Sequence, residues 1–267
     1  MQRSLLPAAI PNAPGMQFAY QFRPCADVGG DCLNVLRLDD RHLGLYILDV
    51  SGHGVASALL SVTLSHMLSV VPDRSFLYQA CPGNERLHCI APPVQVVTRL
   101  NRHFADSPGI SQYFTMIYGI LDTETSEFRY VSAGQLSPVH FRSGAPFPIQ
   151  EAGGIAVGLL PGITYEEHSV TLLEGDRLYL CTDGIMEAEN TAEQEFGAGR
   201  LLATLTRYRD LPLDESLSSL MQCVEEWLAP AGLADDASIL GHRALRMEWP
   251  PGVMIWVSGN PLPIMPR

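Results

Sequence analysis

The order in which hydrophobic periodicity changes along the chain restricts its fold more than any other feature. Met16, Phe18, Tyr20 and Phe22 alternate with smaller or polar residues, the period of two expected of a strand with one buried face. The apolar runs 32–38 and 43–50 flank Asp39-Asp40-Arg41-His42 and read as a hairpin. From 54 to 71 the apolar positions Val55, Leu59, Val62, Leu64, Met67, Leu68 and Val71 recur near helical spacing until Pro72, and a second helix is expected from Pro93 to about Ala105. Strands return at 113–121, 127–132, 138–142, 164–172 and 176–182. Helices at 200–208 and 214–228 and a last strand at 237–240 follow. Strands, two helices, strands, two helices and a strand predict one layered α+β domain rather than an alternating βαβ fold.

Composition removes several functions. With 17 basic against 29 acidic side chains and a net charge of −12, the chain lacks the cation excess that a nucleic-acid surface needs. Every basic residue is Arg, so lysine Schiff bases, a P-loop lysine and Ser-Lys nucleophile pairs are excluded. The apolar stretches around Leu43–Val50 and Ala58–Val71 are interrupted by polar residues and fall short of the roughly 18 clean residues a membrane helix requires. No membrane partner is expected. The six cysteines include no C-x-x-C pair, and without a signal-peptide pattern they read as reduced, mostly buried thiols of a cytoplasmic protein. Cys81, His88 and Cys89 could hold a soft metal, but their spacing is irregular.

Three segments stand outside the layered pattern. Residues 1–12, with Gln2-Arg3-Ser4-Leu5-Leu6-Pro7, read as the end of a linker helix stopped by proline. Residues 72–92 carry three prolines, two cysteines and no clear period, and read as an inserted loop or flap. Residues 243–267, with five prolines and two tryptophans, read as an extension or linker with a possible strand at 253–257. The main domain is then 13–242.

Four acidic positions lie at the edges of apolar strands. Asp31 ends Val28-Gly29-Gly30-Asp31; Asp49 ends a strand and opens Asp49-Val50-Ser51-Gly52-His53-Gly54; Asp183 follows Leu178-Tyr179-Leu180-Cys181-Thr182; and Asp235-Asp236 precede Ala237-Ser238-Ile239-Leu240. A carboxylate at the rim of a core needs hydrogen bonds or a cation to offset its desolvation. Oxygen ligands of this kind suit Mg²⁺ or Mn²⁺ rather than zinc. Any one Asp-Gly pair is an ordinary turn signal; four acids at strand edges together point to a metal.

At these residues the chain resembles the PP2C-type metal-dependent protein phosphatases, in the bacterial SpoIIE/RsbU-like branch. The matching segments are 28–31, 49–58, 114–119, 132–134, 182–188 and 235–238, in the family's order. The resemblance implies a four-layer α-β-β-α sandwich, two antiparallel sheets flanked by helix pairs. It implies two Mn²⁺ or Mg²⁺ ions, with Asp49 bridging them, the Val50 carbonyl helping to hold one, Asp183 and Asp235 completing the other site, and Asp31 ligating directly or orienting metal-bound water. The implied reaction is direct hydrolysis of a phosphoserine or phosphothreonine by a water activated between the ions. His53 could act as an acid towards the leaving alkoxide or simply shape its glycine-flanked loop. No cysteine lies in a C-x₅-R loop, so a covalent thiol mechanism has no support. Gln135 departs from the pattern, standing where many relatives carry a histidine after Ala133-Gly134.

In this branch the phosphatase follows a receiver or other sensor domain in signalling systems such as response regulators, and the substrate is a phosphorylated STAS-type anti-sigma-factor antagonist. The resemblance therefore implies an output enzyme that dimerises through the missing N-terminal helix. An adaptor that keeps the fold and binds its partner without turnover is the alternative, though none of the four acids is lost. A generic Ca²⁺ module is weaker, since its acids would cluster in one short loop.

Overall fold

The central strands of this chain have two buried faces, and their side-chain parity explains the layered architecture. The structure is a computed structural model that describes residues 6–7, 9–25, 29–52, 54–106, 112–147 and 153–245, and the backbone of 254–257 and 260–263. In strand β3 (His42–Val50), Leu43, Leu45 and Ile47 point one way and Tyr46, Leu48 and Val50 the other, and all six are buried. Its antiparallel neighbour β6 (Phe114–Asp122) divides likewise, with Ile117 and Leu121 on the first face and Met116, Tyr118 and Ile120 on the second. A strand buried on both faces must be covered twice, which requires a sheet on one side and helices on the other.

The first sheet has the order β10-β7-β6-β3-β2, adding β2 (Cys32–Arg37), β7 (Glu127–Ala133) and β10 (His168–Thr171). The second has the order β1-β12-β11-β8-β9, built from β1 (Met16–Arg23), β8 (Val139–Arg142), β9 (Ala145–Phe147), β11 (Arg177–Cys181) and β12 (Ala237–Ala244). Every pairing in both is antiparallel. Between the sheets lies a core of Leu33, Leu45, Ile47, Phe128, Leu178, Leu180 and Leu240.

The outer face of the first sheet carries α1 (Val55–Met67) and α2 (Pro93–Ala105); that of the second carries α3 (Gly197–Arg207) and α4 (Leu213–Leu228). Each of the last three shows a buried stripe at helical spacing: Val96, Val97, Leu100 and Phe104 in α2, Leu201 and Leu205 in α3, and Leu213, Leu217, Leu220 and Val224 in α4. Pro92 and Pro212 precede α2 and α4, where a missing N–H costs nothing. The result is the four-layer α-β-β-α sandwich that the resemblance implied. Among the described residues no helix is long and apolar enough to cross a membrane.

Several expectations are corrected. The first helix ends at Met67, not Val71: the Leu68 N–H closes on the Leu64 carbonyl, and the Met67 carbonyl is taken by the Phe76 N–H. The 72–92 segment is not a structureless loop. A 3₁₀ turn at Pro72–Arg74 leads into a hairpin of β4 (Tyr78–Cys81) and β5 (Asn84–Ile90). Its base is built into the core: Leu77 and Tyr78 are buried, the Tyr78 hydroxyl donates to the Leu38 carbonyl at 3.0 Å, and Arg99 of α2 donates to the Phe76 and Tyr78 carbonyls. Cys81 and Cys89 are joined across this hairpin as a disulfide, so the expectation of six reduced thiols fails for these two. Their sulfurs are bonded to each other and do not form the soft-metal site considered with His88. Cys32 and Cys181 are the buried thiols; Cys25 and Cys223 are half-exposed. The last core strand runs on to Ala244, because its continuation pairs with β1 along their whole length. Beyond it, β13 (Met254–Val257) and β14 (Asn260–Pro263) pair as a separate hairpin. Residues 1–5, where the linker helix was expected to end, lie outside the described residues.

Candidate metal centre

The same parity that fills the space between the sheets delivers acids to one end of it. Asp31 lies in step with Leu33 and Val35, and Asp49 in step with Leu43, Leu45 and Ile47. In the opposite sheet Thr182 continues the inward row of Leu178 and Leu180, and Ser238 and Asp236 continue that of Leu240. Where the leucines stop, the inward positions become Asp, Thr and Ser.

Asp31 is buried and clamped by the second sheet. Its Oδ2 accepts hydrogen bonds from Thr182 Oγ1 at 2.9 Å and Ser238 Oγ at 2.5 Å, while its Oδ1 receives none. The Ser238 N–H in turn donates to Thr182 Oγ1 at 3.0 Å. Asp236, also buried, accepts the backbone N–H groups of Asp31 at 3.2 Å and Cys25 at 2.9 Å, pinning the segment that presents Asp31. A Cβ on Gly29 would overlap the Asp236 carboxylate, and one on Gly30 would stand 2.7 Å from the Val50 carbonyl oxygen. The Gly29-Gly30 pair is therefore required by close approach, not by its turn alone. Ser61 of α1 donates to the Gly30 carbonyl at 2.5 Å and fixes the helix against the same segment.

These acids repel one another. Burial, then the Asp183 and Asp235 carboxylates, push Asp49 up to about 7. Burial and then Asp49 hold Asp31 well above the usual carboxylate range. Asp183, which opens a 3₁₀ turn at Asp183–Ile185, is raised by burial and then by Asp235. Among the described residues none of Asp31, Asp49, Asp183 and Asp235 takes part in an ion pair. A buried, orphaned carboxylate oxygen among uncompensated acids is the environment a hard divalent cation satisfies, and the donors are oxygens. Cys25, Asp235 and Asp236 also bring one ligand atom each within 4.8 Å of the others. The Cys25 thiol is pushed up to about 11 by burial and then by Asp236, so at neutral pH it is a neutral thiol.

Asp31, Asp49, the Val50 backbone, Asp183 and Asp235 are thus brought to one end of the sandwich. His53 and Val28 lie outside the described residues. Thr182, Ser238 and Asp236 are functional neighbours whose roles the sequence reading did not assign. Their inward parity was the available signal.

Two antiparallel sheets with helices on both outer faces and acids converging from both sheets define a PP2C-type phosphatase fold. It superposes on the RsbU and RsbW domains of Rv1364c from Mycobacterium tuberculosis with a TM-score of 0.73 at 23% identity, covering 92% of this chain and 64% of that one. The PP2C phosphatase domain and regulatory fragment of SpoIIE from Bacillus subtilis gives 0.67 at 17%, covering 87% and 64%. Residues 39–244 match the family described as Stage II sporulation protein E (SpoIIE), and the chain belongs to that family. Among curated relatives, Protein IcfG of Synechocystis sp. is 26% identical over 219 residues, 77% of this chain and 34% of that protein. Phosphoserine phosphatase RsbU of Bacillus subtilis is 24% identical over 188 residues, 70% and 51%. The chain spans a third to about half the length of the curated relatives it matches.

Proposed function

We propose that the domain is a metal-dependent serine/threonine protein phosphatase acting on a small phosphorylated signalling protein of the STAS-type anti-sigma-factor antagonist class. Family membership supports the phosphatase class, and RsbP and RsbU are named phosphoserine phosphatases. The observation that carries the reading is the convergence of Asp31, Asp49, Asp183 and Asp235 without a cationic partner among the described residues.

In this proposal Asp49, Asp183, Asp235, Asp31 and the Val50 carbonyl hold two divalent ions. Mn²⁺ or Mg²⁺, when bound, supplies the charge that offsets the phosphoryl oxygens and acidifies a water for in-line attack. The protein's own part is placement. Thr182 and Ser238 fix one oxygen of Asp31 and leave the other to face the site; Asp236 fixes the backbone behind it; and Gly30 lets that backbone pass against Val50. Releasing a phosphate from the substrate removes roughly 1.5 to 2 negative charges, enough to change its choice of partner. The same reading makes residues 13–242 the phosphatase domain and leaves His53 either as an acid towards the leaving group or as a shaper of its glycine-flanked loop.

The test is turnover of a generic phosphoester and of a phosphoserine peptide with Mn²⁺, Mg²⁺, Ca²⁺ or EDTA, comparing the parent with Asp183→Asn. Mn²⁺-dependent turnover abolished by the substitution is expected. Metal binding without turnover under any of these conditions would favour the adaptor, and no metal binding would remove the site.

A further inference from the structure

One strand beyond Asp49, the first sheet places a hydroxyl that no other group in the metal-free chain engages. Thr115 of β6 stands directly opposite Asp49 of β3, and two residues along the same register Ile117 stands opposite Ile47. Both isoleucines face the core between the sheets, so Asp49 and Thr115, each two positions away, share that inward face. On the other side of β3, the pairing of Cys32 with Leu48 brings Asp31 opposite Asp49. Asp31, Asp49 and Thr115 therefore form one row across three neighbouring segments, at the end where the acids converge.

The two acids of this row are held differently. Asp31 accepts the hydroxyls of Thr182 and Ser238. Asp49 has no hydroxyl donor among the described residues; its hydrogen-bonding neighbour is the Asp31 carboxyl, and two carboxyls bond only while they share a proton. A Cβ built on Gly30 would stand 3.3 Å from Asp49 Oδ1, which shows one oxygen of Asp49 turned towards that same segment. Thr115 Oγ1, meanwhile, is buried with no hydrogen-bond partner. Solvent does not reach it, so its acceptor must be a neighbouring protein group. Directly opposite residues on antiparallel strands carry their Cβ atoms about 4.5–5.5 Å apart, a gap that a hydroxyl and a carboxylate arm span between them. Leaving a buried hydroxyl unpaired is costly, and an ionised carboxylate is a strong acceptor for it.

We propose that Thr115 is a positioning residue for the metal centre: with a divalent ion bound, its hydroxyl donates to the Asp49 carboxylate and holds it in the orientation that ligates the ion. The inference rests on the proposed function, in which Asp49 is a ligand. Thr115 touches neither ion nor substrate and acts through Asp49. In the metal-free chain the hydroxyl is idle because Asp49 turns to Asp31; a cation takes the place of the shared proton, and Asp49 is then free to accept from its neighbour on the other side.

The experiment uses the full chain and compares the parent with Thr115→Val, which keeps the shape and removes the hydroxyl, and with Thr115→Ser, which keeps the hydroxyl. Mn²⁺ affinity is read by calorimetric titration, and metal-free stability by urea unfolding in EDTA. Thr115→Val is expected to bind Mn²⁺ roughly tenfold more weakly, the factor that follows from losing a hydrogen bond to a charged group. Its metal-free midpoint should stay at or above the parent's, since an unpaired buried hydroxyl has gone. Thr115→Ser should keep most of the parent's affinity. A threonine that only packs would not lower the affinity while sparing the midpoint. Parental affinity in Thr115→Val, a lowered metal-free midpoint in that variant, or an equal loss of affinity in Thr115→Ser would each overturn the inference and leave the metal centre standing. A parent that binds no Mn²⁺ would overturn the proposed function and this inference with it.

Discussion

The carboxylate of Asp236 holds the backbone N–H of Asp31 at 3.2 Å across 205 positions of sequence, and with its other oxygen holds the N–H of Cys25 at 2.9 Å. One side chain thus ties the entry to β12 to the segment that presents a buried acid of the other sheet. Asp236→Ala leaves two N–H groups without their acceptor, at about 1–3 kcal/mol for each buried group. Urea unfolding should show the loss, and Mn²⁺ affinity should fall with it. Asp236→Asn keeps one acceptor oxygen and should lie between. An Asp236→Ala chain with the parent's midpoint and metal affinity would remove the pinning role.

Asp49 should trade stability against metal binding. Its carboxyl, raised to about 7, is strained by burial and by Asp183 and Asp235 while no cation is bound. Asp49→Asn removes that charge and should stabilise the metal-free chain by about 1–3 kcal/mol at pH 8, while abolishing the rise in melting temperature on adding Mn²⁺. Thermal melts with EDTA and with Mn²⁺ check both halves. A destabilised metal-free variant would contradict the mutual repulsion of these acids.

His242 should give the fold an acid-sensitive window. It lies between the sheets against Phe18, its Nδ1 bonds the Gln17 carbonyl at 3.2 Å, and burial pushes its pKa from the ordinary 6.5 down to about 4. The unfolded chain takes up this proton near pH 6.5 and the folded chain only near 4. Its stability contribution is therefore complete above about 6.5 and is lost as pH falls towards 4, with a slope of up to about 1.4 kcal/mol per pH unit. Denaturant midpoints measured across that window should flatten in His242→Phe.

The Cys81–Cys89 bridge predicts a thiol count. Of the six cysteines, four should react with a thiol-specific dye in the denatured, unreduced chain and all six after reduction. Cys89→Ser frees a loop closed over a separation of eight, and should lower hydrogen-exchange protection of the hairpin by about 2–3 kcal/mol on the chain-entropy account. Six reactive thiols before reduction would show the bridge absent in solution.

Much of this was legible because it follows from period. Leu43, Leu45, Ile47 and Asp49 share one face whatever their neighbours do, so a strand long enough to recognise also announces where its terminal acid points. The ordered set of acids and glycines then carried the resemblance to the family. What escaped had no such period. Residues 78–81 and 84–90 are short, polar strands turning through Gly83 at φ +80°, and their hairpin is held by a disulfide and by Arg99 reaching from a distant helix. The part played by Thr182 and Ser238 depends on hydrogen bonds to Asp31 across the two sheets, which no local spacing can encode. Gln135 stood out only as a departure from the family's pattern; its orphaned amide is a property of packing.

The division of the acids between the two sheets has a final consequence. Asp31 and Asp49 lie at the end of one sheet and Asp183, Asp235 and Asp236 at the end of the other, and the side chains that hold Asp31 in place, Thr182, Ser238 and Asp236, all come from the opposite sheet. A half-assembled chain would not bring these acids together, so under the proposed function cation affinity would be a gauge of tertiary order.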